Sequence, residues 1–204
     1  MFKRWRILAM VSFGVLAASP ATAGLAEAVT LDQLVGESRV VIVGKVLDSH
    51  SVREAIGGRS RIVTYTRVHV EEQLAGTNGD KEVMVRTLGG RVGDVAEIVH
   101  GAARLDRRQP AVMFLRERDP NMYGITAETQ GVYPLHRGTR GELMLMPSRD
   151  LAKLLGKLDR SAALQLRGQS LRNATNMIRS VYSRLLAAPK LPIPSRTLPA
   201  PSKP

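Results

Sequence analysis

From Arg61 to Glu72 the chain alternates without a break. Ile62, Thr64, Thr66, Val68 and Val70 fall on one side, and Val63, Tyr65, Arg67, His69 and Glu71 on the other. A period of two over this length does not suit an amphipathic helix. It places the first set, small and mainly apolar, on the core face of a β-strand and the second toward solvent. His69 then reads as a surface histidine, not a metal ligand.

Other segments follow the same logic. Arg39 to Leu47 is short and β-branched, with Gly44 marking a bulge or a close backbone approach. Glu82 to Leu88 is a further strand, as is the apolar run Ala111 to Leu115 behind Pro110. An alternating stretch runs up to His100, and weaker strands fall near 122–127, 130–136 and Glu142 to Met146. Asn78-Gly79 and the Gly89-Gly90-Arg91-Val92-Gly93-Asp94 cluster supply turns. Six or seven short strands at intervals of roughly 10–15 residues are the rhythm of a small barrel or sandwich. One core is expected to gather Val41 or Val43, Val68, Val83 and Phe114.

Helices flank this body. Thr30-Leu31-Asp32-Gln33 has the form of a capping box, and a short helix is expected near 30–37. Ser148 caps a second helix through about Leu158, with Leu151, Leu154, Leu155 and Leu158 on one side. A third is expected over 161–187, where Leu164, Leu171, Ile178 and Leu185 recur every seven residues as a candidate interaction seam. Residues 188–204 form a proline-rich tail that should not pack.

The N-terminus reads as an export signal. Lys3, Arg4 and Arg6 precede the apolar run Ile7 to Ala18, and Ala21-Thr22-Ala23 supplies the small residues a signal peptidase reads. That run is too short to cross a bilayer core, which needs about 20 residues. The expected organisation is a signal at 1–23, a β-barrel domain at 24–146, a basic helical extension at 147–187 and the tail at 188–204. A periplasmic or secreted destination follows.

The formal charge of +12 is unevenly spread. Residues 24–150 hold as many acidic as basic groups, whereas 151–204 hold ten basic residues and the single acid Asp159. A neutral body with a basic arm suits contact with an anionic surface or another protein. With no cysteine, the chain can have no disulfide, no thiolate metal ligand and no cysteine nucleophile. His50, His69, His100 and His136 are too far apart for any local metal motif. No P-loop, nucleophile elbow or Ser-x-x-Lys is present, and Gly89-Gly90-x-x-Gly93 leads into a strand where a dinucleotide loop needs a helix. Neither catalytic residues nor a cofactor nor a metal is indicated.

Val40-Val41-Ile42-Val43-Gly44-Lys45-Val46, then Ile62-Val63-Thr64, then Val83-Met84-Val85-Arg86-Thr87-Leu88-Gly89-Gly90 and Val112-Met113-Phe114-Leu115 recur in one order. That order resembles an uncharacterised β-barrel domain of exported bacterial proteins, some of which also carry a matrixin-like metallopeptidase module. The resemblance covers about residues 30–146 and departs from the pattern at Gln109-Pro110. It implies an OB-like barrel and transfers no catalytic residue, because the zinc module is absent.

The expected function is therefore an exported, non-catalytic binding or protein-interaction module. The 48–60, 89–94 and 101–109 loops would be presented by the barrel, with Arg104, Arg107 and Arg108 as contacts for an anionic ligand. Its partner would be an exported protein or an anionic surface, a membrane surface included. OB-like nucleic-acid or anionic-polymer binding is the second reading, ranked below because the body is neutral and has only four aromatics. A hydrolase whose site is assembled only by the fold is the third.

Overall fold

The computed structural model describes residues 28–77, 79–148, 151 and 161–188. The expected signal, most of the helix expected after Ser148 and the tail beyond Ala188 lie outside them. The described residues form nine strands and three α-helices: α1 (Leu31–Gly36), β1 (Val40–Ile56), β2 (Arg59–Gly76), β3 (Glu82–Leu88), β4 (Gly90–Val92), β5 (Val95–Glu97), β6 (Ala111–Asp119), β7 (Met122–Ile125), β8 (Val132–Arg137), β9 (Leu143–Leu145), α2 (Ala162–Leu166) and α3 (Leu171–Ala187). No described helix is long and apolar enough to cross a membrane.

The fold is mainly β and barrel-like. β1 pairs antiparallel with β2, β2 with β3, β6 with β7 and β6 back with β1, while β3 and β7 pair in parallel. These pairings return to β1, so five strands stand in a ring. The ring is barrel-like rather than sealed, because β3 and β7 share only Met84 with Met122 and Val85 with Tyr123. Ala103 and Leu105, from the chain after β5, pack into the interior. β8 and β9 extend the sheet beyond β6.

Two apolar cores explain two unusual sequence runs. Val40 and Ile42 of β1 join Val68, Val83, Val85, Met113, Leu115 and Tyr123 inside the ring. Val41 and Val43 point the other way, to Val112, Phe114, Tyr133 and Leu135 and to the three helices. Strands buried on both faces read as continuous hydrophobic runs, which is why Val40–Val43 and Ala111–Leu115 do not alternate. The single core expected from sequence is therefore divided: Val68 and Val83 lie in the inner core, Val41, Val43 and Phe114 in the outer one.

Strand lengths depart from expectation as well. β1 and β2 have 17 and 18 residues, and 48–60 is no loop but the far end of their hairpin. Its turn is Gly57-Gly58, with φ of +57° and +75°, the glycine pair a two-residue hairpin turn favours. Cross-strand contacts hold the arm where apolar burial does not: His50 stacks on Tyr65 at 5.5 Å, and Ser51 and Thr64 share a hydroxyl hydrogen bond of 2.9 Å.

α1 begins as expected. Thr30 Oγ1 accepts from the Gln33 amide at 3.2 Å, and Gln33 Oε1 accepts from the Thr30 amide at 2.8 Å. Ser148 Oγ likewise accepts from the Leu151 amide at 3.2 Å, an N-cap contact. The helix expected over 161–187 is broken. Arg167 leaves helical geometry, Gly168 has φ +69°, and Ser170 caps a new start by accepting from the Asn173 amide. A left-handed glycine with an N-cap two residues on ends one helix and begins another.

Candidate ligand recess at the barrel mouth

The inward positions of β2 and β3 change character along the barrel. On β2 they run from Val68 to Thr66 and Thr64, and on β3 from Val83 and Val85 to Thr87. Thr64 and Thr87 are direct cross-strand partners. The apolar interior thus gives way to hydroxyls at one end, where a recess of about 280 Å³ opens. Ser49, Leu88, Ile98 and Leu105 contribute to its wall, and Arg104 stands at its edge.

The hydroxyls are not equivalent. Thr64 Oγ1 donates to the Gly89 carbonyl at 2.6 Å and is paired with Ser51. Thr66 and Thr87 are only 3% and 9% exposed, and among the described residues neither side chain has a hydrogen-bond partner. Both border the recess. Their oxygens open on the recess, so whatever fills it, water or a ligand, is what they bond.

The glycine pair beside them is fixed by space. Gly90 has φ +137°, and a Cβ there would run into Thr64 Oγ1 and Ser51 Oγ. Gly89-Gly90 is therefore a close crossing over the hydroxyl cluster that leads into the small β4–β5 hairpin. Glu97 anchors that hairpin by accepting from the Ile62 amide at 2.6 Å and from Arg61 Nε. The Ile62 N–H first, then Arg61, hold its carboxyl below the usual carboxylate range. Glu97 is thus engaged in structure.

The arginines singled out from sequence lie beside the recess. Arg104, Arg107 and Arg108 are gathered with Asp106 around a shallow hollow of about 570 Å³ that shares Ser49, Arg104 and Leu105 with it. Arg107 donates to the Leu47 carbonyl at 3.0 Å, and Asp106 accepts from the Arg108 amide at 2.9 Å. That N–H, more than the Arg108 guanidinium, keeps the Asp106 carboxyl below its ordinary value.

A second polar cluster lies on the outer face of β1–β3. Tyr65 Oη donates to Glu54, and Arg86 donates to the same carboxylate at 2.6 Å. Arg86 first, then Tyr65, lowers the Glu54 pKa, and the bond to Glu54 raises that of Tyr65. Arg67 pairs with Asp48 and, at 3.6 Å, with Glu82. This is the face on which OB-like barrels commonly bind oligonucleotides and oligosaccharides. Here its two arginines are matched by carboxylates and its tyrosine is stacked on His50.

The seven-residue seam does not stay on one face. Leu164 is exposed on α2, Leu171 is half-buried at the start of α3, Ile178 is fully buried and Leu185 is exposed. The face of α3 that docks on the outer core is Ala174, Thr175, Ile178 and Val181. His69 is exposed, as the alternation requires. Among the described residues, no three His, Asp or Glu side chains are grouped to hold a metal ion.

Sequence reasoning missed Ser49, Thr66 and Thr87. The signal was present in the appearance of threonine at inward positions where valine would bury more apolar surface. No family model matches the chain, and no curated protein sequence is significantly similar to it.

Proposed function

We propose that the protein is an exported, non-catalytic binding module whose ligand enters the recess at the barrel mouth. The observation that carries this reading is the pair of nine-tenths-buried threonines, Thr66 and Thr87, whose hydroxyls border the recess with no protein partner among the described residues. A threonine at these inward positions buries less apolar surface than valine would, whereas a binding site uses its hydroxyl to fix ligand orientation. Export is supported by the basic start, short apolar run and Ala-Thr-Ala site of residues 1–23. The resemblance to OB-like domains of exported bacterial proteins points the same way.

Nucleic-acid binding ranks lower because no aromatic side chain lines the recess and the outer-face arginines are engaged by carboxylates. The test is thermal-shift screening of the chain from Gly24 onward against a chemically diverse small-molecule panel, in parallel with Thr66→Val/Thr87→Val. A ligand that raises the melting temperature of the parent but not of the variant supports the reading. Ligands that shift both proteins equally would move the site elsewhere.

A further inference from the structure

We infer that the recess takes an acidic sugar: one ring of a uronic-acid glycan, its hydroxyls on Thr66, Thr87 and Ser49 and its carboxylate toward Arg107 and Arg108. This rests on the recess being a ligand site and adds the chemistry of what fills it.

The first argument is hydrogen-bond capacity. Each hydroxyl both donates and accepts. Thr66 and Thr87 have both functions unused among the described residues. A bare carboxylate or phosphate only accepts, and an ammonium only donates, so either would leave half that capacity idle. A ligand that itself carries several hydroxyls satisfies both.

Shape and surface agree. At about 280 Å³ the recess lies just below the range for drug-sized sites, ~300–1,000 Å³. It has room for one ring but not for a folded partner. Leu88, Ile98 and Leu105 give its wall an apolar part, and Ile98 is 65% exposed, so the C–H face of a sugar ring has a surface to cover. The recess shares Ser49, Arg104 and Leu105 with the 570 Å³ hollow, so the two adjoin.

Charge selects the substituent. Three arginines and one aspartate surround the hollow. The Arg107 guanidinium gives one donor to the Leu47 carbonyl, which holds it in place and leaves other N–H groups for a ligand. Guanidinium donors suit carboxylate geometry. A neutral glycan would use the recess and waste the hollow, whereas a polyanion without hydroxyls would do the reverse.

The experiment is isothermal titration of the chain from Gly24 onward with galacturonate, glucuronate and mannuronate oligomers. Each is compared with its methyl-esterified form, which keeps ring and hydroxyls but loses charge, and with polyglutamate, which has charge without hydroxyls. Thr66→Val/Thr87→Val and Arg107→Gln/Arg108→Gln are titrated alongside, with circular dichroism to confirm folding. One acidic oligomer should bind, esterification and each double substitution should weaken it roughly tenfold or more, and polyglutamate should bind far less well. Equal binding of the esterified form would overturn the charge assignment. Polyglutamate binding unaffected by the threonine variant would reduce the site to a polyanion patch. If no acidic oligomer binds, the proposal fails. The recess reading survives that failure if another compound still depends on Thr66 and Thr87, and falls with it if none does.

Discussion

At Tyr133 the phenol oxygen is sealed in the outer core with no hydrogen-bond partner among the described residues, and burial raises its pKa. Phe114 meets the ring edge-on at 6.0 Å, so the ring is well packed even though its oxygen is not. Tyr133→Phe removes only the stranded hydroxyl and should raise stability by about 1 kcal/mol or more in urea unfolding. A loss of stability would reveal a partner for that oxygen. Thr66 and Thr87 differ because they border open space, so their valine substitutions should leave stability within about 1 kcal/mol while affecting ligand binding. Glu54, Glu97 and Asp106 are all held below their ordinary carboxylate range, so each adds acid sensitivity, and Glu54 tests it most simply. Its folded pKa lies below the ordinary 4.5, so its contribution is present above that value and lost as pH falls through the folded pKa. Glu54→Gln should therefore flatten the acid limb of the stability curve below about pH 4.5, read by melting temperature against pH. An unchanged acid limb would place the acid-labile contact elsewhere.

Among the elements, α3 divides what the sequence could and could not convey. Its apolar residues recur at a heptad spacing with those of α2, and that spacing alone favours one long seam. The seam is interrupted because Gly168 adopts φ +69° and Ser170 restarts the helix, a local effect that periodicity does not register. Ile178→Ala should cost about 2–5 kcal/mol, whereas Leu164→Ala and Leu185→Ala, exposed in the structure, should each cost under about 1 kcal/mol. Comparable costs at all four seam positions would favour an unbroken helix. The β1–β2 arm was hidden for a related reason. Residues 48–60 are mostly polar, with only Val52, Ala55 and Ile56 apolar, so no sustained apolar alternation announces a strand, and pairing there depends on partners across the hairpin. By contrast α1 and the strand around Val68 were legible, because a capping box and strict alternation are local signals. The recess was legible only as an exception, threonine where valine was due.

Taken whole, the molecule is a barrel with its inner core on one side of β1 and β6 and a helix-covered core on the other. This leaves the mouth near Thr66 and Thr87 uncovered by helices α1 to α3. Phe114, at the centre of the outer core, ties sheet to helices, and Phe114→Ala should cost about 3–5 kcal/mol. The docking of α3 on that core explains how a basic segment belongs to a neutral body: Arg179 reaches Glu72 at 3.1 Å, and Arg184 pairs with Asp32. The basic arm is thus partly answered by acids of β2 and α1, and the arginines nearest the recess come from the 101–109 segment. The central claim is that ligand binds at the mouth, and NMR amide mapping tests it most directly. Acidic oligosaccharide or any compound that stabilises the protein is titrated into labelled material. The account predicts shifts concentrated at 64–66, 87–90 and 97–108. Shifts confined to the outer face around His50, Tyr65 and Arg86, or to α3, would contradict it.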